Sequence, residues 1–190
     1  MSLLEPARRP TEARSRPTVL SLAFALTIGL AAGLGGCTSV QPLYGSLDGK
    51  PSPAAAEMRN VTFAIADSRL SQHIRNELIF GFYGGEGTPD KAIYRLSIRV
   101  NENNVPVGVQ RLEDVPAAYL QQLNATYTLV EISTQKTILT GTSFANAAYD
   151  FSSQRYANVR AQRDAENRAA TVIAGDIRTK VAAFFVSRSR

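Results

Sequence analysis

The stretch Tyr94-Arg95-Leu96-Ser97-Ile98-Arg99-Val100 alternates apolar and polar side chains. Because successive side chains of a strand point to opposite faces, the pattern predicts a strand over residues 92–105 with one apolar face. Arg95 and Arg99 would then lie together on the opposite face. We expect the following Val105-Pro106-Val107-Gly108-Val109 to interrupt strand pairing, and Arg111 to lie in a strand connection or at a sheet edge.

Two more long strands are predicted downstream, over residues 119–132 and 137–149. The four residues Ser133-Thr134-Gln135-Lys136 between them have the spacing of a hairpin turn. Small side chains on one face of the second of these strands would let a helix approach the sheet closely. These small residues are Gly141, Ser143, Ala145 and Ala147.

Upstream, the alternation in Val61-Thr62-Phe63-Ala64-Ile65-Ala66 predicts a first strand with Val61, Phe63 and Ile65 on one side. Asp67 or Ser68 can cap the helix that follows, since their side-chain oxygens accept hydrogen bonds from the free N–H groups of a first helical turn. This helix should end near Gly81. Its apolar stripe repeats every four residues, at Leu70, Ile74 and Leu78.

A final helix is predicted over residues 155–185. Its apolar stripe consists of Ala165, Ala169, Ile173, Ile177, Val181 and Phe184. The element order is therefore β-α-β-β-β-α. Because each helix has one apolar stripe and the sheet has one apolar face, we predict an α/β (α+β) fold. It is a two-layer sandwich, in which two helices pack on one face of a four-stranded, mostly antiparallel sheet.

The N-terminal part of the chain has the three-part layout of an export signal. Four arginines precede an apolar run that begins near Thr18, and small residues close the run before Leu34-Gly35-Gly36-Cys37. This tetrapeptide has the pattern of a lipobox, where a bacterial lipoprotein is cut before its new N-terminal cysteine is acylated. We therefore expect residues 1–36 to be a cleaved signal peptide. Residues 37–58 would be the lipidated cysteine and a flexible linker, and residues 59–190 a single α/β domain.

The composition argues against several functional classes. The chain has 21 basic and 16 acidic residues. Removal of the four arginines and two glutamates before Cys37 leaves 17 basic and 14 acidic residues, a net charge of +3. This charge is well below the concentrated positive charge of a dedicated nucleic-acid-binding protein. Cys37 and His73 are the only cysteine and histidine. We therefore expect no disulfide, metal site, cofactor or catalytic residue, and no enzymatic activity.

The element Gln41-Pro42-Leu43-Tyr44-Gly45, close after the cysteine, resembles the LPS-assembly lipoproteins (the LptE family), particularly alphaproteobacterial members. The resemblance continues through residues 61–80, the long strand ending near Arg111 and the segment 151–185, so it covers nearly the whole chain after the cut. Two stretches of the last segment are similar to the family's final-helix pattern. They are Ser153-Gln154-Arg155-Tyr156-Ala157 and Asp164-Ala165-Glu166-Asn167-Arg168-Ala169-Ala170.

The resemblance implies an LptE-like domain with a two-layer α/β fold and no catalytic role. Members of this family are outer-membrane lipoproteins that sit as a plug inside the large β-barrel of the LPS-transport protein LptD. They help the barrel to assemble and bind lipopolysaccharide. The expected partners are therefore LptD, lipopolysaccharide and, through the lipid anchor, the outer membrane. Thr38 follows the cysteine in place of Asp, which favours the outer membrane by analogy with enterobacterial sorting.

Basic side chains in this family contact the phosphates of lipopolysaccharide. The resemblance makes Arg111 the closest counterpart of one of them, with Arg160 or Arg155 as candidates for a second basic site. Arg95 and Arg99, on the exposed sheet face, could meet either this ligand or a polar barrel lumen. Two other interpretations stay open. One is an auxiliary lipoprotein of an ABC-type envelope lipid-transport system, and the other is an envelope enzyme tethered by its lipidated cysteine.

Overall fold

The structure, a computed structural model, describes residues 46–47, 50–85, 87–110 and 115–188, all within the compact unit Pro42–Arg190. No helix in these ranges is long and apolar enough to cross a membrane. The elements in chain order are β1 (Ser46–Leu47), β2 (Lys50–Pro51), α1 (Pro53–Met58), β3 (Val61–Phe63), α2 (Arg69–Tyr83), β4 (Tyr94–Gln110), β5 (Val115–Glu131), β6 (Lys136–Asp150) and α3 (Arg155–Arg188).

Four of the strands form one sheet in the order β3-β4-β5-β6. β3 pairs parallel with β4, whereas β4, β5 and β6 pair antiparallel. The predicted α+β class and mostly antiparallel four-stranded sheet are therefore confirmed. β1 and β2 form a separate two-stranded antiparallel ribbon that the sequence did not predict. In β4 the predicted alternation holds, because Tyr94 and Leu96 are buried while Arg95 and Arg99 are exposed.

β4 does not break at its proline, and this part of the prediction is wrong. The strand runs on to Gln110, and Pro106 lies opposite Tyr119 of β5. The direction of the proline nitrogen explains this. Backbone groups of even-numbered β4 residues face the side on which β3 lies, so the missing N–H of Pro106 falls on that outer edge. The ladder with β5 therefore loses no hydrogen bond at this position.

β3 is shorter than predicted and ends at Phe63, which is buried as expected. Ile65 is 98% exposed, so the prediction that it shares one side of this strand with Val61 and Phe63, which are both buried, is wrong. Ala64 N still donates a hydrogen bond to Leu96 O at 2.9 Å. The chain then leaves the sheet to reach Ser68, where the next helix is capped. The alternating sequence pattern therefore extends beyond the C-terminal end of the strand.

Both ends of α2 are set by capping residues. Ser68 Oγ accepts a hydrogen bond from Ser71 N at 3.1 Å, which confirms one of the two predicted caps. The helix continues through Gly81 and stops at Gly84, which has the left-handed φ of 61° that favours glycine. At Gly81 a Cβ would lie 3.1 Å from Cδ of Arg178 in α3, so a larger residue there would require the Arg178 side chain to shift.

α1 lies where the flexible linker was predicted. Ser52 caps its first turn, and Ala54 and Met58 are 0% and 2% exposed in the main hydrophobic core. The linker predicted over residues 37–58 is therefore too long at its C-terminal end, because its alanines build a helix that buries apolar surface. The earlier part of that linker, with Cys37, lies outside the described residues.

α3 is the longest element, and its buried side matches the predicted stripe except at one position. Phe185, at 2% exposure, takes the place expected for Phe184, which is only partly buried. The helix packs against small residues of β6, as predicted: Ser143, Ala145 and Ala147 are 3%, 6% and 6% exposed. The two-layer arrangement therefore rests on close contact between this helix and the sheet.

α2 and α3 are also joined by a polar contact. Arg69 Nη1 donates a hydrogen bond to Asn167 Oδ1 at 2.8 Å, and its other terminal nitrogen forms an ion pair with Glu166. Glu166 is only 8% exposed and also accepts a hydrogen bond from Gln162 Nε2 at 3.1 Å. These bonds fix how the two helices lie along one another.

At one position of the sheet a buried ring leaves no room for a side chain on the neighbouring strand. Gly141 of β6 lies opposite Tyr127 of β5, whose side chain is 2% exposed, and burial raises the pKa of its hydroxyl. A Cβ built on Gly141 would lie 2.6 Å from Cζ of Tyr127. The missing side chain therefore makes room for the buried ring.

We expect Gly141→Ala to lower the free energy of unfolding by about 1–3 kcal/mol, because the Tyr127 ring must move within a packed layer. Gly175→Ala is the matched control. A Cβ at Gly175 would meet open space, and alanine is the better helix former by up to about 1 kcal/mol, so this change should stabilise the protein. Urea denaturation of the two purified variants measures both effects. Equal changes in the two variants would contradict the packing described.

Candidate functional site

The first turns of α3 present basic and apolar side chains to solvent. Tyr156 is 73% exposed and Val159 is 45% exposed, and the neighbouring arginines are exposed as well. Spacings of three and four residues place these side chains along one side of the helix. We call this surface the basic helix start, and it consists of Arg155, Tyr156, Val159, Arg160 and Arg163.

Reciprocal hydrogen bonds hold the corner between β6 and α3. Ser152 N donates to Asn158 Oδ1 at 2.7 Å, and Asn158 Nδ2 donates to Ser152 O at 2.7 Å. Just before this corner, Phe151 N donates to Ala117 O of β5 at 3.1 Å. The Phe151 ring also lies 6.2 Å from that of Tyr119. These contacts give the basic helix start a defined position at one end of the sheet.

The charges at this end are arranged unfavourably for the helix itself. The first turn of α3 contains Arg155 and no acidic residue, although the N-terminal end of a helix dipole is positive and favours anions. Asp164 could neutralise Arg160, but its carboxylate instead pairs with Arg168 Nε at 2.8 Å. The Arg160 guanidinium lies 6.0 Å from the centroid of the Tyr156 ring. The resulting surface is positive, with an aromatic ring beside the charge, and suits an anionic, partly apolar ligand.

A second basic region lies on the sheet face opposite the helices, which we call the open face. Its residues form cross-strand rows that can be read from the pairing of β4, β5 and β6. Three adjacent rows are Ser97–Thr128–Thr140, Arg99–Thr126–Thr142 and Asn101–Asn124–Phe144. These rows contain hydroxyl and amide groups, one arginine and one aromatic ring that is 60% exposed, and no carboxylate. The open face is thus polar and weakly basic.

The structure does not bring all predicted basic residues to one place. Arg155 and Arg160 share the start of α3, which belongs to the helix layer. Arg95 and Arg99 lie on the open face, with the sheet between them and that layer. Arg111 and the expected lipidation site Cys37 lie outside the described residues. The two sites that can be compared are therefore the basic helix start and the open face.

The sequence interpretation did not single out Arg163, Val159 or Tyr156 as functional. A signal was present, because these residues and Arg160 recur at helical spacing on the side away from the buried stripe. The same spacing is typical of any solvated helix face. Only the exposed fractions of Tyr156 and Val159, together with the unshared charge of Arg160, distinguish this surface from such a face.

No protein-family model matches this sequence, and no curated protein matches it. Solved structures share its fold. A protein from Caulobacter crescentus CB15, described as a lipoprotein, superimposes with a TM-score of 0.60 at 21% identity, covering 70% of this chain and 96% of its own. Lipoprotein B from Nitrosomonas europaea superimposes with a TM-score of 0.50 at 10% identity, covering 67% and 83% of the two chains. The chain therefore has a fold that also occurs in bacterial lipoproteins.

We expect Arg155→Glu to raise the free energy of unfolding by about 0.3–1 kcal/mol, because a carboxylate in the first turn interacts favourably with the helix dipole. Arg163→Glu is the matched control, since it makes the same charge change more than a turn beyond the dipole's range. Thermal denaturation at low and high salt measures both variants. If Arg155→Glu is neutral or destabilising relative to the control, the native arginine does not strain the helix start.

Proposed function

We propose that this protein is an outer-membrane lipoprotein, anchored through Cys37, that occupies the lumen of the LPS-transport β-barrel LptD and binds lipopolysaccharide during its export. In this proposal the protein has no enzymatic activity. It binds the ligand, helps the barrel to assemble and stays in place as its plug. Three features support the proposal, and each concerns a different part of the chain.

The observation that carries the proposal is the basic helix start. Lipid A presents phosphates next to acyl chains, so a surface that binds it needs cationic donors beside apolar groups. Arg160 and Arg163 supply guanidinium forks that match phosphate oxygens. Tyr156 and Val159 supply exposed apolar surface within the same two turns. This combination fits an amphipathic anion better than it fits a small soluble anion.

The open face fits the polar interior of an outer-membrane barrel. Its hydroxyl and amide side chains can exchange hydrogen bonds with a polar wall, and Arg95 and Arg99 can pair with lumen carboxylates. Flat rows of short side chains, such as Thr126 and Thr142, also leave little relief to obstruct such a contact. In this arrangement one layer of the sandwich contacts the barrel and the other contacts the ligand.

The lipobox supports envelope anchoring, and the fold is compatible with that role. The Leu34-Gly35-Gly36-Cys37 sequence closes an export signal. The solved structures from Caulobacter crescentus and Nitrosomonas europaea that share the fold are both described as lipoproteins. A lipoprotein role therefore agrees with the N-terminal sequence and with the domain that follows it.

The proposal predicts stable association with a large outer-membrane β-barrel. The acylated full-length protein, affinity-purified from outer membranes in mild detergent, should bring down one such barrel in equimolar amount, identified by mass spectrometry. Cys37→Ser is the control, because this substitution removes the acylation site without changing the folded domain. The variant protein should no longer be found in the outer-membrane fraction. Recovery of ABC-transporter subunits in place of a barrel would favour the auxiliary-lipoprotein interpretation and count against ours.

We further expect a loss of lipopolysaccharide binding when the basic helix start is neutralised. The double change Arg160→Gln and Arg163→Gln should weaken binding of purified lipopolysaccharide by about tenfold or more, since it removes charge-assisted hydrogen bonds. The matched control is Arg95→Gln with Arg99→Gln, which removes the same charge from the open face. If the control variant loses affinity and the first does not, the ligand site assigned to α3 is wrong.

A further inference from the structure

One edge of the sheet is only partly filled. β3 pairs with the first three residues of β4 and no further. Along that short contact, Tyr94 N donates to Asn60 O at 3.1 Å, and Ala64 N donates to Leu96 O at 2.9 Å. The backbone groups of even-numbered β4 residues therefore point toward this side. From residue 98 onward, no strand in the described part of the chain lies there.

The unfilled part of this edge has defined limits. Backbone N–H and C=O groups of four residues continue the same series and point outward, namely Ile98, Val100, Glu102 and Asn104. The next residue in the series is Pro106, which has no N–H to offer. Residues 98–104, which we call the vacant edge, thus span seven residues, about the length of an ordinary strand.

The opposite edge of the same sheet is protected. On β6 the outward-facing carbonyl of Thr142 accepts a hydrogen bond from Lys180 Nζ at 2.8 Å. The outward carbonyl of Ala148 accepts one from Arg168 Nη2 at 2.9 Å. Basic side chains that cover an edge in this way are a common defence against unwanted strand pairing. Among the described residues, no side chain makes an equivalent bond to the backbone of the vacant edge.

A groove of about 570 Å³ runs beside the vacant edge where β3 ends. It is lined by Ile65, which is 98% exposed, and by polar side chains of the open face, including Arg99, Asn101 and Thr126. Arg99 forms no ion pair with any carboxylate of the described ranges. The groove also contains Asp67, whose carboxylate accepts a hydrogen bond from Ser71 Oγ at 3.0 Å and forms no ion pair with Arg99. It therefore offers backbone hydrogen bonds, apolar contacts at Ala64 and Ile65, and a guanidinium that pairs with no carboxylate of the described residues.

We propose that the vacant edge binds an extended segment of a partner protein by strand addition. The added strand would lie beside β4 and in line with β3. Its backbone would form hydrogen bonds with residues 98–104. On the open face, a carboxylate side chain of the partner would lie opposite Arg99. This site is separate from the basic helix start, and the inference does not depend on lipopolysaccharide binding.

The charges of the vacant edge argue against a second copy of this chain as the occupant. Its two charged residues are Arg99 and Glu102, which lie on opposite faces of β4 because their numbers differ in parity. Residues opposite one another in paired strands always share a face. In the antiparallel pairing of a two-fold symmetric dimer, no register can therefore place Arg99 opposite Glu102, and the central registers bring like charges close together. A segment with a carboxylate facing Arg99 supplies the missing complement.

The test uses the full acylated protein in detergent and a capped heptapeptide, Thr-Asp-Thr-Val-Thr-Asp-Thr, as the probe. When this peptide pairs with residues 98–104 in either direction, one of its two Asp side chains lies opposite Arg99. Hydrogen exchange of single amides should show slower exchange at residues 98, 100, 102 and 104 when the peptide binds. The amides of Arg99 and Asn101, already bonded to β5, should not change. A peptide with Lys in place of each Asp should bind about five- to tenfold more weakly, as expected for a like-charge pair across strands.

Charge reversal tests the assigned contact. Arg99→Glu should reverse the preference between the Asp and Lys peptides. Arg95→Glu is the matched control, because Arg95 lies on the same face but opposite Thr62 of β3, outside the vacant edge, and it should leave the preference unchanged. If Arg99→Glu fails to fold, Arg99→Gln should abolish the preference.

Three outcomes would overturn the proposal. The first is exchange that the peptide does not slow, or slows without the alternating pattern. The second is slow exchange at the four outward amides in the free monomer, which would show that another part of this chain already fills the edge. The third is the same protection accompanied by dimer formation in sedimentation experiments without peptide, which would assign the edge to a second copy.

Discussion

Small side chains let α3 lie directly on the sheet, and the rest of the architecture depends on that contact. Ala165 and Ala169 of the helix are at most 1% exposed, and Ala145 and Ala147 of β6 are 6% exposed. With short side chains on both surfaces, the helix and the sheet can pack at close distance along their length. α2 and α1 both pack against α3, and the Arg69–Glu166 ion pair joins α2 to α3.

Much of the fold could be predicted because long elements repeat one simple signal. β4, β5, β6 and α3 are each 15 residues or longer, so alternation in the strands and a stripe at helical spacing in the helix repeat often enough that local exceptions matter little. The predictions fail at positions where the sequence pattern is present but no described strand lies in the expected place beside it. Ile65 continues an alternating pattern, yet no strand position exists for it. Pro106 has the chemistry of a strand breaker, but its nitrogen faces an edge where no strand of the described residues pairs, which only the pairing order reveals.

The candidate site was predictable in part. Arg155 and Arg160 follow from a resemblance, and Arg95 and Arg99 from alternation, but neither argument says which of them share a surface. That question depends on the layer to which each element belongs, and the sequence does not state it. The role of Asp164 shows the limit well. Spacing allows it to pair with Arg160 or with Arg168, and the structure pairs it with Arg168, whose other bond holds the edge of β6.

Most of the chain follows the local rules for stability, which makes its exceptions informative. Ser68 and Gly84 cap α2 with preferred residues, and Lys180 and Arg168 cover the edge of β6. By contrast, α3 begins with an arginine and no acidic residue in its first turn, and no described residue covers the edge of β4 at residues 98–104, beside an exposed isoleucine. A sequence that protects one end and one edge has the means to protect the others. Positive charge and open backbone are instead left at the two places where we propose that ligands bind.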